Sequence, residues 1–493
     1  MITKSHYVIY RSCPRQFYYL QNNKDKQRKL SLDEQDRINQ GLEVGQLATT
    51  YFANTISIKK NSAKADVKLQ AQLTAKFLKE NANCIAEASF IYQDLFCAVD
   101  LLVKDKDGYN IYEVKATKHA QENLDEYCAD VAFQKYVLEK CGLKIKECYI
   151  LYLNENYIKQ GPIDVKGLFT TLDLNEQAQF GRECNQIETY LNQMRQLLSS
   201  KQLPNYGTCN KACPFFVFCH EDLPKPNILE LNNIRLATAH KFINQGIKTL
   251  KDYKKQAKKV SDFQGIQLST TDQPHIDKPQ IKGFLESLKY PLYHLDFETT
   301  MKAIPVCDGH RPWQSIAFQY SLHIDTKPGN KCEHREFLAD QYDDEYRLAK
   351  QLTKDIPPHA TVVAFSVGTE RSIIKRLADR FTDLKDQLLA LTTNMVDLIY
   401  PFKQGYYYNP KQHGVNSIKA VMPAMCPELE KAYKDLPTVH NGGEALTEFP
   451  KMLEMTGQAR QQSRDGMLAY CYQDTQSMVD ILNTLWKLIE GKC

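Results

Sequence analysis

Two carboxylates stand two residues apart in the apolar segment YHLDFETT. On a β-strand, Asp296 and Glu298 would project from the same face. Two like charges buried side by side are costly unless a cation lies between them. Farther along the chain, in MLAYCYQDTQSMVDIL, Tyr470 and Asp474 are four residues apart and share one face of a predicted helix. An ordinary amphipathic helix explains the second pair alone, but the two pairs together predict a divalent-metal site.

The pattern of these two pairs resembles the DEDDy branch of the RNase H-like 3′–5′ exonucleases. In that family two metal ions activate water and stabilise the leaving oxygen, and the tyrosine orients the water. The resemblance implies a further acid after a buried strand, where VVAFSVGTERSIIKRLA offers Glu370, with Ser366 in place of the usual Asn. Asp397, in NMVDLIYPF, is the alternative acid. Glu is longer than Asp by one methylene, which alters the available metal geometry.

A second set of residues combines carboxylates with a lysine. Asp100 and Glu113 end neighbouring apolar strands of one predicted hairpin, and Glu113 and Lys115 share a strand face. A carboxylate pair at a sheet edge can bind Mg²⁺ or Mn²⁺, and the lysine can position or activate the attacking water of phosphodiester hydrolysis. The alternative is a solvent-facing ion pair between Glu113 and Lys115.

The spacing Asp, twelve residues, Glu-Val-Lys resembles the RecB-like branch of the PD-(D/E)XK nucleases. The segment DVAFQKYVLE resembles the helix that follows in that branch, and it contains Gln134 and Tyr136 of the polar motif. The segment GLEVGQLA at 41–48 resembles the N-terminal helix, with Gly45 where many relatives carry a metal-binding His. This departure leaves the metal with fewer protein ligands, and Glu87 is the candidate to compensate.

Three cysteines, Cys209, Cys213 and Cys219, fall within YGTCNKACPFFVFC. The chain has 15 cysteines, an odd and scattered set that argues against a disulfide framework and favours metal ligation for a tight cluster. RecB-like nucleases with a [4Fe–4S] cluster place one cysteine near the N-terminus and three after the nuclease core. The resemblance implies that Cys13, in RSCPRQFYYL, is the fourth ligand and that the cluster joins the two ends of the domain. The spacing is C-x₃-C-x₅-C, whereas many relatives have C-x₂-C-x₅-C.

Two alternatives to an iron–sulfur cluster remain open at this stage. A Cys₄ zinc site would join the same two ends of the domain. The cysteines could also be small buried hydrophobic residues without a metal, a role that their density disfavours.

Two groups of predicted elements position these residues. In the first half, we expect strands at 84–93, 95–104, 111–117 and 147–153, and helices at 123–143 and 175–200. In the second half, we expect strands at 290–298, 315–324, 333–339 and 360–367, a helix at 341–355 and a mostly helical remainder.

The length of 493 residues predicts at least two domains, and LPKPN at 223–227 breaks the chain. We expect a multidomain α/β protein: a PD-(D/E)XK restriction-endonuclease-like domain at 1–222, a helical connector at 223–284 and an RNase H-like exonuclease domain at 285–493. The chain has no long apolar run and no apolar signal segment at its start, so we expect no membrane partner and a cytoplasmic location with reduced thiols.

The predicted connector contains a lysine-rich segment, KTLKDYKKQAKK. Together with INQGIKTL it resembles small helical hairpins that hold a nucleic-acid backbone through glycine amides and lysines. The alternative is a solvated helix face. Its lysines are Lys248, Lys251, Lys254, Lys255, Lys258 and Lys259.

Residues 291–480, with NSIKAVMPA and NGGEAL among their segments, resemble the bacterial domain-of-unknown-function 2779 family, whose members join a RecB-like half to an RNase H-like half. We therefore expect a metal-dependent nuclease, an exonuclease rather than an endonuclease, that resects ends or trims 3′ ends of DNA in repair, recombination or defence. RNA is an alternative substrate. A nucleic-acid-binding scaffold or iron–sulfur sensor with degenerate sites is the alternative function, and it rests on Gly45 and Glu370.

Overall fold

A computed structural model describes residues 1–58, 66–200, 202–257 and 259–491. The chain divides into two compact units. The first comprises Met1–Leu30, Glu34–Asp222 and Lys302–Gln314, and the second comprises Ser31–Asp33, Leu223–Met301 and Ser315–Cys493. The predicted connector at 223–284 is thus part of the second unit. No helix within the described ranges is long and apolar enough to cross a membrane.

The first unit is built on a seven-stranded sheet in the order β2-β3-β4-β5-β6-β7, with β1 beside β4. Strands β3, β4 and β5 form the predicted antiparallel meander, and β5 and β6 are parallel. Parallel neighbours need a crossover connection, which a helix usually provides. The strands are β1 (Ile2–Thr3), β2 (Thr55–Ser57), β3 (Cys84–Tyr92), β4 (Leu95–Asp105), β5 (Gly108–Lys115), β6 (Ile145–Leu153) and β7 (Phe169–Asp173).

Helix α5 is the crossover between β5 and β6. It spans Leu124–Lys140, close to the predicted 123–143, and Gly142 follows it with φ +90, a conformation that glycine adopts without strain. Its apolar residues contribute to the main core of the unit. The helices of this unit are α1 (Lys4–Ser12), α2 (Pro14–Asn22), α3 (Leu32–Ala48), α4 (Val67–Lys79), α5 (Leu124–Lys140), α6 (Val165–Leu168), α7 (Ala178–Ser199) and α8 (Phe216–Cys219).

The second unit is built on a five-stranded sheet in the order β11-β10-β9-β12-β13. Strands β9, β12 and β13 are parallel, whereas β10 and β11 are antiparallel. The predicted strand at 360–367 is shorter in the structure because Ser366 is already the N-cap of the following helix. The strands are β8 (His275–Ile276), β9 (Leu292–Lys302), β10 (Gln314–Asp325), β11 (Glu333–Leu338), β12 (Thr361–Ala364), β13 (Met395–Asp397) and β14 (Tyr407–Tyr408), where β14 pairs with β8.

Helices cover both faces of β9, so its residues are apolar on both sides. Leu292 packs in a core with α18 and α19, while Tyr293 and Leu295 pack in a core with α13, α14 and α15. Because side chains alternate, Asp296 and Glu298 lie on the face of Leu292. The helices are α9 (Leu236–Asn244), α10 (Leu250–Gln256), α11 (Asp262–Ser269), α12 (Lys278–Glu286), α13 (Glu345–Asp355), α14 (Val367–Arg380), α15 (Lys385–Leu391), α16 (Tyr400–Lys403), α17 (Ile418–Met425), α18 (Gly442–Glu454) and α19 (Gly457–Glu490).

A buried histidine in β9 makes the second unit sensitive to acid. His294 is fully buried, and burial together with the nearby His323 lowers the pKa of His294 to about 3. The folded protein therefore keeps His294 neutral while the unfolded chain binds a proton below its ordinary pKa, so stability falls as pH drops from about 6.5 towards 3. Between pH 7 and pH 4.5, we expect the free energy of unfolding of metal-free His294→Leu to fall by about 2 to 3 kcal/mol less than that of the parent protein. Denaturant unfolding at both pH values measures this, and equal losses would contradict it.

Candidate functional site

The predicted acidic residues of the second unit meet at one edge of its sheet. Asp296 and Glu298 lie on β9, Glu370 lies in the first turn of α14 directly after β12, and Asp397 ends β13. The strands are parallel and in register, with Val363 beside His294 and Ala364 beside Asp397. The carboxyl ends of parallel strands lie at the same edge of a sheet, which is the usual position for ligands in such folds.

Helix α19 adds Tyr470, Cys471 and Asp474 to this edge. Ligand atoms of Asp296, Glu298 and Cys471 all lie within 4.8 Å of one another. The Tyr433 hydroxyl donates to Asp474 Oδ1 at 2.7 Å, and Lys419 Nζ donates to the Tyr470 oxygen at 3.2 Å. We call this group of acids, with Tyr470 and Lys419, the carboxylate cluster.

Burial and mutual repulsion disfavour the charged forms of these acids. Burial, followed by the Asp474 charge, raises the pKa of Asp296 and of Glu298 well above the ordinary range. Burial also raises the pKa of Asp474, which Tyr433 and Lys419 oppose. Burial and Asp397 raise the pKa of Glu370 to about 7. Such a site gains stability when a divalent cation neutralises it.

Two carboxylate oxygens of the cluster also lack a donor. Glu370 Oε2 and Asp397 Oδ1 are buried and have no hydrogen-bond partner among the described residues. Glu370 is 6% exposed, so water offers it little compensation. Lys419 supplies one positive charge against five carboxyl groups. Apart from the Cys471 thiol, the donor set consists of hard oxygen ligands, which Mg²⁺ or Mn²⁺ prefer.

Three residues in or next to the carboxylate cluster were not predicted as site residues. Lys419 lies in the segment NSIKAVMPA, and Cys471 lies one residue after Tyr470 and three before Asp474, on the face that carries them. The 470–474 helix face could therefore have indicated Cys471. Tyr433 stands in the segment KAYKDL, whose pattern gives no indication of a site.

The residues predicted as the first site also come together, around Glu113. Lys115 Nζ donates to Glu113 Oε1 at 2.9 Å and to Asp130 Oδ2 at 2.7 Å. Gln134 Nε2 donates to Glu113 Oε2 at 2.8 Å and to Asp130 Oδ1 at 3.0 Å. Glu113 is only 2% exposed, so its pair with Lys115 is not the solvent-facing ion pair of the alternative reading. We call these residues, with Asp100 and Lys4, the Glu113 cluster.

Lys4 and Asp130 are the members of the Glu113 cluster that the sequence did not predict. Lys4 begins α1, and its Nζ lies 2.9 Å from Glu113 Oε1 and 3.1 Å from Oε2. The same Nζ lies 3.9 Å from Asp100 Oδ1 and 3.8 Å from Asp130 Oδ1. Asp130 precedes Gln134 by four residues, and the shared helix face could have indicated it.

Asp100 and Glu113 differ in protonation because their neighbours differ. Burial, followed by the Glu113 charge, raises the pKa of Asp100 to about 7. Burial also acts to raise the pKa of Glu113, but the Lys115 and Lys4 ammonium groups outweigh it and hold that pKa well below the usual range. The backbone N–H of Val114 donates to Asp100 Oδ2 at 2.8 Å. Glu113 is therefore the anionic centre of the cluster.

Of the remaining predicted residues of this site, Glu87 lies near Asp100, whereas Tyr136 lies outside the Glu113 cluster. Glu87 lies between Ala86 and Ala88, which pair with Leu101 and Val99, so it lies opposite Asp100 in register. Its φ of +59 is uncommon for a residue with a side chain and often marks a functional position. The Tyr136 hydroxyl donates to Glu188 at 3.0 Å, outside the Glu113 cluster. A Cβ at Gly45 would meet no atom within 4 Å.

The four predicted cluster cysteines lie near one another in the first unit. Burial raises the pKa of Cys209 to about 12, and Cys13, Cys213 and Cys219 contribute to that shift through their charges. Cys13 is the N-cap of α2, and its sulfur accepts the Gln16 N–H at 3.4 Å. Cys13 stands near the start of the chain, so the four thiols come from segments that are distant in sequence.

Basic and aromatic side chains hold these two ends together. The Arg15 guanidinium lies 3.9 Å from the centre of the Tyr206 ring and donates to the Pro204 carbonyl at 2.8 Å. Arg28 donates to the Ala212 carbonyl at 2.9 Å. Among the residues that the structure describes, these thiols do not form a group of ligand atoms within 4.8 Å.

The predicted lysines lie on and next to α10. Lys248, Lys251, Lys254 and Lys255 are exposed, and Lys254 Nζ donates to the Leu268 carbonyl at 3.1 Å. Gly246, between α9 and α10, has φ +84, and the Ile247 N–H after it donates to the Phe242 carbonyl at 2.9 Å. Lys258 lies outside the described residues.

Comparison with known families gives one match, most of which lies in the second unit. Residues 293–417 match the model of the family described as Domain of unknown function (DUF2779). The matched segment contains Asp296, Glu298, Glu370 and Asp397 of the carboxylate cluster and ends before Tyr470 and Asp474. A search among curated proteins finds no match for the chain.

Proposed function

We propose that the protein is a divalent-metal-dependent nuclease whose hydrolytic site is the carboxylate cluster of the second unit. The observation that carries this proposal is the grouping of the half-buried Asp296 with the buried Glu298 and Asp474, with raised pKa values and one nearby ammonium group. A purely structural cluster of this kind would be destabilising, so the arrangement is best explained by a cation that binds there.

The fold and the resemblances support the choice of nucleic acid as substrate. The strand order β11-β10-β9-β12-β13, with acids at the carboxyl ends of the parallel strands, supports an RNase H-like fold for the second unit. The antiparallel meander followed by a crossover helix supports a PD-(D/E)XK fold for the first. The resemblance to DEDDy enzymes favours 3′–5′ trimming by an exonuclease, with DNA as substrate and RNA as the alternative.

The chain's own residues would each have a distinct task. Asp296, Glu298 and Asp474 would hold Mg²⁺ or Mn²⁺, with Glu370 or Asp397 as a further ligand. When bound, the metal supplies a water of lowered pKa and balances the charge that builds on the phosphate. Tyr433 fixes Asp474 by donating to Oδ1. Tyr470 accepts from Lys419 Nζ and is also hydrogen-bonded to Asp474, and in the family that this half resembles a tyrosine orients the water.

We further propose that a [4Fe–4S] cluster is bound by Cys13, Cys209, Cys213 and Cys219. One Zn²⁺ ion with Zn–S distances of about 2.3 Å would hold its sulfurs within about 4 Å of one another. The preference for an iron–sulfur cluster over zinc rests on the resemblance to RecB-like nucleases, in which four thiolates bind such a cluster. Its role would be structural, joining the two ends of the first unit.

The proposal predicts that Asp474→Asn lowers cleavage of end-labelled DNA by roughly 100-fold, because it removes a metal ligand. Asp465→Asn is the matched control, since Asp465 is an exposed acid on the same helix α19. Anaerobically purified protein is tested with single- and double-stranded DNA and RNA in Mg²⁺ or Mn²⁺. Equal activity of the two variants would refute the assignment of the site.

If the four cysteines bind a [4Fe–4S] cluster, protein purified without air should contain iron and acid-labile sulfide. We expect Cys213→Ser to lose both, because its thiolate is a ligand, and to unfold at a lower temperature. Cys141→Ser is the control, since Cys141 is an exposed cysteine of the same unit. Metal and sulfide analysis beside thermal unfolding measures this. Stoichiometric zinc without iron in the parent protein would show that the zinc alternative is correct.

A further inference from the structure

Lys4 lies where the first site would have to accept a cation. Its ammonium group contacts both oxygens of Glu113 and lies within 4 Å of oxygens of Asp100 and Asp130. One positive charge thus faces three carboxylates at once. This position, between Asp100 and Glu113, is the one that a divalent ion bound by those two side chains would take.

The backbone of Lys4 is fixed, so the contact is built into the fold. Ile2 and Thr3 form β1, which pairs with Leu95 and Phe96 of β4. Thr3 then caps α1, with its hydroxyl accepting the His6 N–H at 3.2 Å. Lys4 is the first residue of that helix, and its side chain is 23% exposed.

The acceptors of Glu113 are already occupied. Oε1 accepts from Lys4 and Lys115, and Oε2 accepts from Lys4 and Gln134. A carboxylate offers about four acceptor positions, so these four hydrogen bonds from three side chains saturate it. A metal ion could bind Glu113 only by displacing at least one of these donors, and its charge would repel the two ammonium groups.

The two sites therefore differ in charge. In the Glu113 cluster, Lys4 and Lys115 supply two positive charges against the carboxylates of Asp100, Glu113 and Asp130. In the carboxylate cluster, Lys419 faces five acids, and two buried oxygens have no donor among the described residues. The acids of the second unit need additional positive charge, which a divalent cation could supply. In the first unit, lysine ammonium groups already supply most of the positive charge.

We propose that Lys4 is a built-in counter-ion that closes the Asp100–Glu113 site to divalent metal, so that only the second unit takes Mg²⁺ or Mn²⁺. This inference rests on the proposed function, but it is tested by metal binding, which does not depend on cleavage. The first unit then does not hydrolyse phosphodiesters in this state, and Lys115 and Gln134 serve the ion network around Glu113.

The test uses full-length protein in which Asp296→Asn and Glu298→Gln disable the carboxylate cluster. Mn²⁺ binding is measured by paramagnetic resonance of the free ion and by the shift of the unfolding temperature with Mn²⁺. Lys4→Met and Lys4→Gln remove the counter-ion charge, and Lys4→Arg is the matched control that keeps it. Glu113→Gln, added to the parent and to Lys4→Met, shows whether any bound ion is at the first site.

We expect the disabled parent and Lys4→Arg to bind Mn²⁺ weakly and to unfold at the same temperature with or without it. The neutral Lys4 variants should bind one Mn²⁺ at least about tenfold more tightly and gain stability from it, and Glu113→Gln should abolish both effects. Mn²⁺ binding by the disabled parent that Glu113→Gln abolishes would overturn the proposal, whatever the variants do. So would neutral Lys4 variants that fold and bind no better than the parent.

Discussion

Charge balance at the carboxyl ends of β9, β12 and β13 is the constraint on which the second unit depends. The fold brings acids from two strands and two helices to a single, largely buried edge of the sheet. Burial of like charges without compensation is costly, and Lys419 offsets only part of that cost. The surrounding polar contacts, such as Tyr433 on Asp474, orient the carboxylates but do not neutralise them. Protonation of the acids, which their raised pKa values favour, or a bound cation would complete the balance.

The first unit meets the same physical problem with a different solution. Glu113 is buried near Asp100, whose side chain is 26% exposed, and two lysines and an amide donate to Glu113. Because these donors belong to the fold, the Glu113 carboxylate is satisfied without any added ion, although Gln134 Oε1 is buried and has no partner among the described residues. A pattern of Asp, Glu and Lys in the sequence therefore does not by itself establish a metal site, since a lysine distant in sequence can take the place of the metal.

The sequence predicted features that depend on local pattern. The meander of β3 to β5, the crossover helix α5 and the strand that carries Asp296 and Glu298 follow from apolar periodicity and turn residues. Lys4 and Lys419 could not be predicted in this way, because their partners are remote: Lys4 and Glu113 are 109 residues apart, and Lys419 and Tyr470 are 51 apart. Such contacts depend on how the helices pack, which no short segment encodes. The DUF2779 match does not reach Tyr470 or Asp474 either.

The most direct measurement is an anomalous difference map, at the manganese absorption edge, from crystals of the parent protein grown with Mn²⁺. We expect a strong peak among Asp296, Glu298 and Asp474, with Glu370 or Asp397 beside it, and no peak between Asp100 and Glu113. Manganese between Asp100 and Glu113, with none at Asp296, would contradict both the assignment of the hydrolytic site and the role of Lys4.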